Sequence, residues 1–376
     1  MKRINTVAAL FTGACLTMFC MQVKAGNPQR SGQAGASELL IDPWAGTSSF
    51  AGANTSCSQG IESQFLNVAG LAFTNRTEVI LGNTDYLDHS LMNISVAGLS
   101  QHMGDAGVIG LSIMSMNFGS IPITTYDNPE GGLGSYTPQF LNIGLCYAKG
   151  FSDNIYGGVN VKLISESIYN VSATGIAVDA GIQYVANVAH GKKNLHFGIS
   201  LKNVGPQMSY SGDGMAFETN QPNNTATGST GQMTVEQRSQ GYELPSLVNI
   251  GAAYDFRIMQ STDSGSTGVS VHRITVAANF TANAFSNDEE QLGVEYAYKS
   301  YLSVRVGFDY QNGTFSSLSA NPTNGGRLTV FTGPCAGFTL QLPFGKNKAS
   351  SFGISYAYRA TDPYSGCHTI GIRMNL

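Results

Sequence analysis

Hydrophobic and polar residues alternate strictly along most of the chain, in stretches of roughly ten residues that end in turns. From 302 to 311, apolar residues occupy the even positions, and serine, arginine, glycine, aspartate and glutamine occupy the odd positions. The stretch 195–202 shows the same two-residue period. Successive side chains of a β-strand point to opposite faces, so this period predicts strands with one apolar face and one polar face.

The alternation predicts an all-β chain of about fourteen antiparallel strands, an even number, as in transmembrane β-barrels of bacteria. The first three strands are the least regular, and residues 110–118 fit neither register. The predicted strands start near residues 78, 91, 107, 139, 155, 175, 194, 247, 272, 291, 301, 336, 351 and 368.

Two further features favour a transmembrane barrel over a soluble β-sandwich. Tyrosine and phenylalanine collect at strand ends on the apolar face, where a membrane barrel carries its two aromatic girdles. The long predicted connections 120–138, 204–245 and 312–334 all fall on one side if the strands run up and down. Since outer-membrane barrels have short periplasmic turns and longer outer loops, these connections are expected outside the cell.

Composition agrees with a barrel and disfavours other classes. Only 12 % of the residues are charged, whereas a soluble domain has about 25 %. The mean hydropathy of −0.04 is low for a helical membrane protein, but suits a barrel with an apolar outside and a polar lumen. A net charge of −4 without a basic patch disfavours nucleic-acid binding.

The N-terminal part divides into two segments. Residues 1–25 have the pattern of a signal peptide, with Lys2 and Arg3, an apolar run, and a small-residue cleavage site ending at Ala25. Residues 26–77 lack alternation and are rich in glycine, alanine and serine, so we expect them to fold into the lumen as a plug. The barrel is then formed by residues 78–376, surrounded by the lipid of a Gram-negative outer membrane.

The polar face carries charges but no catalytic pattern. Four charged residues are assigned to the lumen: Lys162, Asp179, Lys202 and Arg305. Of these, Asp179 and Lys202 lie on neighbouring strands and are interpreted as an ion pair. None of the six histidines lies in a pattern typical of a hydrolase, so no enzymatic activity, metal or cofactor is predicted.

Two of the cysteines have an open interpretation. Cys335 and Cys367 could form a disulfide in an oxidising compartment, or each could be a small buried thiol.

Several stretches resemble a known family. Residues 26–40 and 58–73, together with Phe118–Thr125, Leu201–Pro206 and Glu243–Gly251, resemble the PorV/PorQ family of outer-membrane proteins. These are fourteen-stranded barrels related to the fatty-acid transporter FadL and associated with type IX secretion in Bacteroidetes. Within 58–73, Asn67, Ala69 and Gly70 are similar to the Asn-Pro-Ala element of such plugs, with Val68 where proline is common, and Glu62 belongs to the same stretch.

Two functions follow from this reasoning. The resemblance implies a binding or scaffold protein that contacts secretion-system components or secreted proteins. The long polar loop 204–245 could be its contact surface or simply a disordered loop. The alternative is a FadL-like transporter of hydrophobic small molecules, which needs an apolar pocket beneath the outer loops. Four aromatic residues could line this pocket or could equally serve loop packing: Phe140, Phe217, Tyr242 and Phe315.

Overall fold

The computed structural model describes residues 25–189, 192–220, 232–260, 270–318, 326–344 and 350–376. Fourteen strands in these residues close into one antiparallel barrel, in which each strand pairs with its sequence neighbours and the last strand pairs with the first. The predicted fourteen-stranded transmembrane barrel is therefore confirmed. The predicted signal peptide lies outside the described residues except for Ala25.

The barrel strands are numbered here along the chain. They are β1 Thr77–Tyr86, β2 Met92–His102, β3 Val108–Asn117, β4 Gln139–Gly150, β5 Ile155–Ile168, β6 Val171–Ala189, β7 Lys192–Val204, β8 Leu247–Gln260, β9 Ser270–Asn283, β10 Glu289–Tyr298, β11 Leu302–Gln311, β12 Phe331–Phe344, β13 Ser350–Thr361 and β14 Cys367–Asn375. The largest error in a predicted start is at β12, where the pairing with β13 is irregular between Phe331 and Cys335 and interrupts the sequence period.

The outer wall is apolar over most of the barrel. On β11, Val304 and Val306 are exposed on the outside, whereas the side chain of Arg305 points inward and is largely buried. Arg305 lies directly opposite Glu295 on β10, so charges of opposite sign pair across the lumen face. The sequence register of this strand is thus correct.

The two ends of the barrel differ in the length of their connections. Residues 118–138, 205–246 and 312–330 connect strands at one end, which we call the long-loop end. Two small hairpins lie in these loops: Ile121–Pro122 pairs with Ser135–Tyr136, and Ala216–Asn220 pairs with Gln232–Glu236. The opposite, short-turn end has tight connections such as 103–107 and 151–154.

The N-terminal segment packs against the inner wall from one end to the other. The Ala25 nitrogen lies 2.7 Å from Asp288 Oδ2 at the long-loop end, and the Phe73 ring centroid lies 4.3 Å from that of Tyr156 at the short-turn end. Between them are two one-turn α-helices, Ala45–Ser48 and Ser63–Leu66, and four short 3₁₀ helices, Pro28–Arg30, Ser37–Leu40, Ala53–Ser56 and Val68–Phe73. Among the described helices, none has the length and apolarity needed to cross a bilayer.

Candidate functional site

One part of the inner wall is polar. We call the inward side chains of β5–β14 the polar wall; they carry several ion-pair groups, two of which come first. Lys162 Nζ lies 2.9 Å from Asp179 Oδ1. Glu295 accepts from two arginines, with its oxygens 2.7 Å from Arg273 and 2.6 Å from Arg305. Because these pairs are largely buried, each charge depends on its partner.

The predicted Asp179–Lys202 ion pair is wrong. The register between β6 and β7 shifts beside Asp179, where Asn203 has a left-handed backbone (φ 59°). This bulge turns both Lys202 and Asn203 inward. The Asn203 backbone N–H donates to Asp179 (2.7 Å), and Lys162 takes the ion-pair position. The Lys202 ammonium instead lies 3.8 Å from the centroid of the Phe65 ring in the N-terminal segment.

The possible disulfide is also wrong, because Cys335 and Cys367 are both free, buried thiols. Cys335 lies opposite Arg359 on β13, and Arg359 lies opposite Cys367 on β14. The two cysteines are therefore two strand spacings apart, about 10 Å, whereas a disulfide needs Cα atoms within about 7 Å. The alternative interpretation, two separate buried thiols, agrees with this geometry.

The four residues assigned to the plug motif hold the N-terminal segment in position. Glu62 accepts from Arg373 on β14 (2.6 Å), and Arg373 also lies 3.3 Å from Glu78 on β1. The Asn67 side chain accepts from the Ala69 backbone N–H (3.1 Å) and donates to the Ile182 carbonyl on β6 (3.0 Å).

Gly70 lies where the segment folds back on itself. A Cβ added at Gly70 would lie 2.1 Å from the Ser58 carbonyl oxygen, so no larger residue fits without a backbone shift. The contacts explain why each of these residue types suits its position; that the segment functions as a plug stays a prediction.

The remaining part of the inner wall is mainly apolar, with Glu78 on β1 as a buried charged exception. We call the inward side chains of β1–β4 the apolar wall. It packs against Trp44, Ile61 and Leu71 of the N-terminal segment in one continuous hydrophobic cluster. Its main wall members are Ile80, Ile94, Val96, Val108, Met114 and Met116. This explains why residues 110–118 fit neither register: Ile113 is exposed on the outside while Met114 is buried on the inside, so both faces are apolar.

A pocket of about 430 Å³ lies between the loops of the long-loop end. We call it the outer pocket. Its lining is mainly apolar and aromatic: Ile123, Tyr136, Ile168, Tyr169, Asn170, Val171 and Tyr210. The Tyr136 and Tyr169 ring centroids are 5.7 Å apart. Small-molecule sites typically have volumes of about 300–1,000 Å³ and such a lining, so this is the candidate ligand site.

Tyr210 connects the outer pocket with the N-terminal segment. It packs beside Tyr242 on a buried cluster that contains Ala36 and Leu39. The hydroxyls of Tyr210 and Tyr242 both donate to Glu166 at the top of β5, the latter over 2.8 Å. Burial and the negative Glu166 carboxylate raise the pKa of both tyrosines, so they stay protonated donors.

Of the four aromatic candidates from the sequence, none lines the outer pocket. Phe140 lies on the apolar wall, edge-on to Phe118 at 4.8 Å. Phe217 is exposed in a loop hairpin, and Phe315 is exposed beside Phe308 on the outside. Tyr242 does not line the pocket but packs beside Tyr210. Sequence reasoning missed the pocket because its residues come from three separate connections, which only the folded barrel brings together.

Two smaller cavities lie within the lumen. One, of about 50 Å³, lies between Trp44, Phe65 and Met114 on one side and Lys162 and Asp179 on the other. The other, of about 70 Å³, includes Lys202, Asp309 and Arg359 in its lining. Each has room for only a few waters. Neither of these two cavities has room for a small organic molecule.

Glu38 of the N-terminal segment also lines the cavity of about 50 Å³. Burial raises the pKa of Glu38 to about 7, and the nearby charge of Glu166 adds to the shift.

Comparison with known proteins gives likeness in fold only. No protein-family model and no curated protein matches the chain. The toluene transporter TodX of Pseudomonas putida aligns at 11 % identity and TM-score 0.49, covering 89 % of this chain and 97 % of that chain. A FadL homologue of Pseudomonas aeruginosa aligns at 11 % identity and TM-score 0.43, covering 86 % and 94 %. A Rhodopseudomonas blastica porin aligns at 10 % identity and TM-score 0.30, covering 80 % and 98 %.

Proposed function

We propose that the protein binds small hydrophobic molecules in the outer pocket and passes them along the apolar wall of the lumen. The observation that carries this proposal is the outer pocket itself, whose size and aromatic lining fit a small apolar ligand. The apolar wall supports it, because Phe118, Phe140 and Met92 extend the buried hydrophobic cluster to the long-loop end. The barrel fold is that of outer-membrane proteins of Gram-negative bacteria, which fits a role in uptake.

Movement of the N-terminal segment is part of this proposal. The lumen cavities of about 50 and 70 Å³ are too small for the ligand, so the segment has to shift for passage. On the apolar side the segment is held by packing, which has no fixed direction and allows sliding. Tyr210 touches both the outer pocket and the cluster that holds Leu39, so ligand contact with Tyr210 would reach the segment directly.

Binding to the purified full-length barrel tests the proposal. Toluene and a long-chain fatty acid serve as probes, each measured by displacement of a fluorescent fatty acid. We expect saturable displacement, weakened about tenfold in Tyr136→Ser, since roughly 1.4 kcal/mol corresponds to a factor of ten. Tyr126→Ser is the matched control, because Tyr126 lies in the same loop but is fully exposed. Absence of saturable binding, or an equal effect of the two substitutions, would contradict the proposal.

A second candidate function is the docking of proteins at the long-loop end. It is supported by the hairpin Ala216–Asn220/Gln232–Glu236, in which Phe217 and Met233 are exposed. Exposed apolar side chains on a loop suit a protein contact. The resemblance to the PorV/PorQ family supports a link to type IX secretion and an origin in Bacteroidetes. Both stay predictions.

Deletion of the gene separates the two functions. Defective uptake of fatty acids or aromatic hydrocarbons, with an intact set of surface proteins, favours the transporter. Loss or periplasmic retention of secreted proteins, with normal uptake, favours the docking protein.

A further inference from the structure

The outer wall of β1–β4 carries a cluster of polar side chains in the half nearest the long-loop end. Residues on neighbouring strands face each other here: Asn83 lies opposite Ser95, and Ser95 lies opposite Ser115. Asn93 lies opposite Asn117, which in turn lies opposite Gln139. We call this continuous set the outward polar patch: Asn83, Asp85, Asn93, Ser95, Ser115, Asn117 and Gln139.

In the half of β1–β4 nearest the long-loop end, the alternation of polar and apolar residues is reversed rather than lost. Between the outward residues Asn93, Ser95 and Ser115, the inward residues are apolar, with Ile94 and Met114 buried in the hydrophobic cluster. The strands therefore keep the two-residue period, but here the polar residues face outward and the apolar residues face inward. In the lower half of the same strands, Leu81 and Leu99 are exposed on the outside, as in an ordinary membrane barrel.

The patch lies at a depth where lipid chains are expected. Asn83 is six residues from the short-turn start of β1 at Thr77, or about 15 Å at ~3.3 Å per residue and a ~40° tilt. The apolar band of such barrels is ~25 Å tall. In the strand register, Asn83 lies opposite Ile370 on β14 and Ser115 lies opposite Leu141 on β4, so apolar residues border the lower part of the patch. Nearer the long-loop end, Asp85 lies opposite His368 on β14, and Gln139 lies opposite Ser167 on β5.

Contacts inside the patch satisfy only part of its hydrogen-bonding capacity. Asn83 donates to Asn93 (2.8 Å) and to Ser95 (3.1 Å), and Gln139 donates to Ser115 (3.0 Å). Within the described part of the chain, the Asp85 carboxylate has neither a hydrogen-bond partner nor an ion pair. Lipid tails cannot accept or donate hydrogen bonds, so unpaired groups at this depth cost several kcal/mol each.

We propose that the outward polar patch is the contact surface with a second copy of this chain, related by a twofold axis near Ser95. Asparagine, glutamine and serine each offer both donors and acceptors, so the same set of side chains is complementary to itself. A twofold interface requires this self-complementarity, since each surface meets its own copy. With the axis between Ser95 and Ser115, the β1 side of the patch meets the β4 side of the second copy, so Asp85 lies near Gln139 of that copy.

The available area fits a small stable dimer. Four strands at ~4.8 Å spacing and a band ~25 Å tall give a face of roughly 500 Å² in projection. Small specific interfaces bury about 600 Å² of accessible surface per partner. Side-chain relief makes accessible area larger than projected area, so the outer face of β1–β4 is large enough. Polar contacts within a membrane contribute about 0.6–2 kcal/mol each.

Cysteine cross-linking of the full-length protein in intact cells tests the inference. Ser95→Cys places a thiol near the proposed axis, and oxidation should give a disulfide-linked dimer as the main product. Val306→Cys is the matched control, because Val306 is equally outward on β11, far from the patch around the barrel. Unsubstituted protein controls for the natural cysteines.

A second variant distinguishes a contact surface from a misfolded barrel. Asn83→Leu with Asn93→Leu makes the patch apolar, and we expect the barrel to fold while dimer cross-linking through Ser95→Cys falls at least fivefold. Folding is followed by the gel shift of the unheated barrel. A monomeric Ser95→Cys protein, a cross-link to a different protein, or an equal yield from Val306→Cys would each overturn the inference.

Discussion

The apolar wall and the polar wall hold the same N-terminal segment by different physical means. Against β1–β4, Ile61 and Trp44 are held by packing in a hydrophobic cluster. Where β14 closes the barrel onto β1, Glu62 is held by Arg373 at 2.6 Å, and Asn67 bonds to the backbone of β6 at 3.0 Å. Packing is non-directional, whereas an ion pair or an amide hydrogen bond requires one geometry.

This difference indicates which side of the segment can move. A sliding motion along the apolar wall exchanges one apolar contact for another at little cost. The same motion against the polar side separates buried charges, which costs several kcal/mol. We therefore expect ligand passage beside β1–β4, with Glu62 and Asn67 as the fixed points. Trp44 is the only tryptophan of the chain and is buried in the segment, so its fluorescence reports this motion and unfolding.

Removing the ionic anchor has the largest expected effect. Arg373→Met leaves Glu62 and Glu78 as neighbouring buried carboxylates without their cation. We expect the free energy of unfolding to fall by about 3–5 kcal/mol. Urea unfolding in lipid vesicles, followed by Trp44 fluorescence, measures it. Arg76→Met is the control, since Arg76 is exposed and should change little. Similar losses from both substitutions would mean that the anchor is unimportant.

Substitutions that place a charge on the outer face of β11, or remove one from its inner face, have the next largest expected effect. Val306→Arg places a charge on the lipid-facing side of β11 and should cost about 2–4 kcal/mol near mid-membrane. Arg305→Val should cost less, because Glu295 keeps Arg273 at 2.7 Å. The yield of folded barrel in vesicles compares the two variants. Equal yields would mean that the outer face of β11 does not contact lipid.

The boundary between the two walls should make stability depend on pH. In the unfolded chain Glu38 has an ordinary pKa near 4.5, whereas burial raises the pKa of Glu38 to about 7 in the fold. Between these values the unfolded chain loses its proton first, so stability falls as pH rises from about 4.5 to 7, by up to ~1.4 kcal/mol per unit. Urea unfolding at several pH values measures this slope, and Glu38→Gln should flatten it. An unchanged or steeper slope in Glu38→Gln would contradict this origin.

The smallest effect is expected on the apolar wall. Ile61→Val removes one methyl group from a fully buried side chain and should cost about 1 kcal/mol. Ile372→Val is the matched control on the lipid side of β14, where lipid fills the space, and it should cost less. The same unfolding assay resolves them. If Ile61→Val costs as much as Arg373→Met, packing and not the ion pair is the main anchor.

The barrel could be predicted from local sequence alone. Alternation over ten residues is a local property, so it fixed the number of strands and the inward direction of Lys162, Asp179 and Arg305. It also determined which connections are long. These features need no knowledge of which strands lie side by side.

The tertiary structure alone decided the remaining features, because they depend on contacts between distant segments. Because of the bulge at Asn203, Lys162 and not Lys202 pairs with Asp179. The strand order places β13 between Cys335 and Cys367. The apolar residues of β1–β4 that pack against the N-terminal segment face inward. Near the long-loop end, the outward residues of these strands are therefore the polar ones. A two-residue period predicts that two faces differ, but the environment on each side decides which face is which.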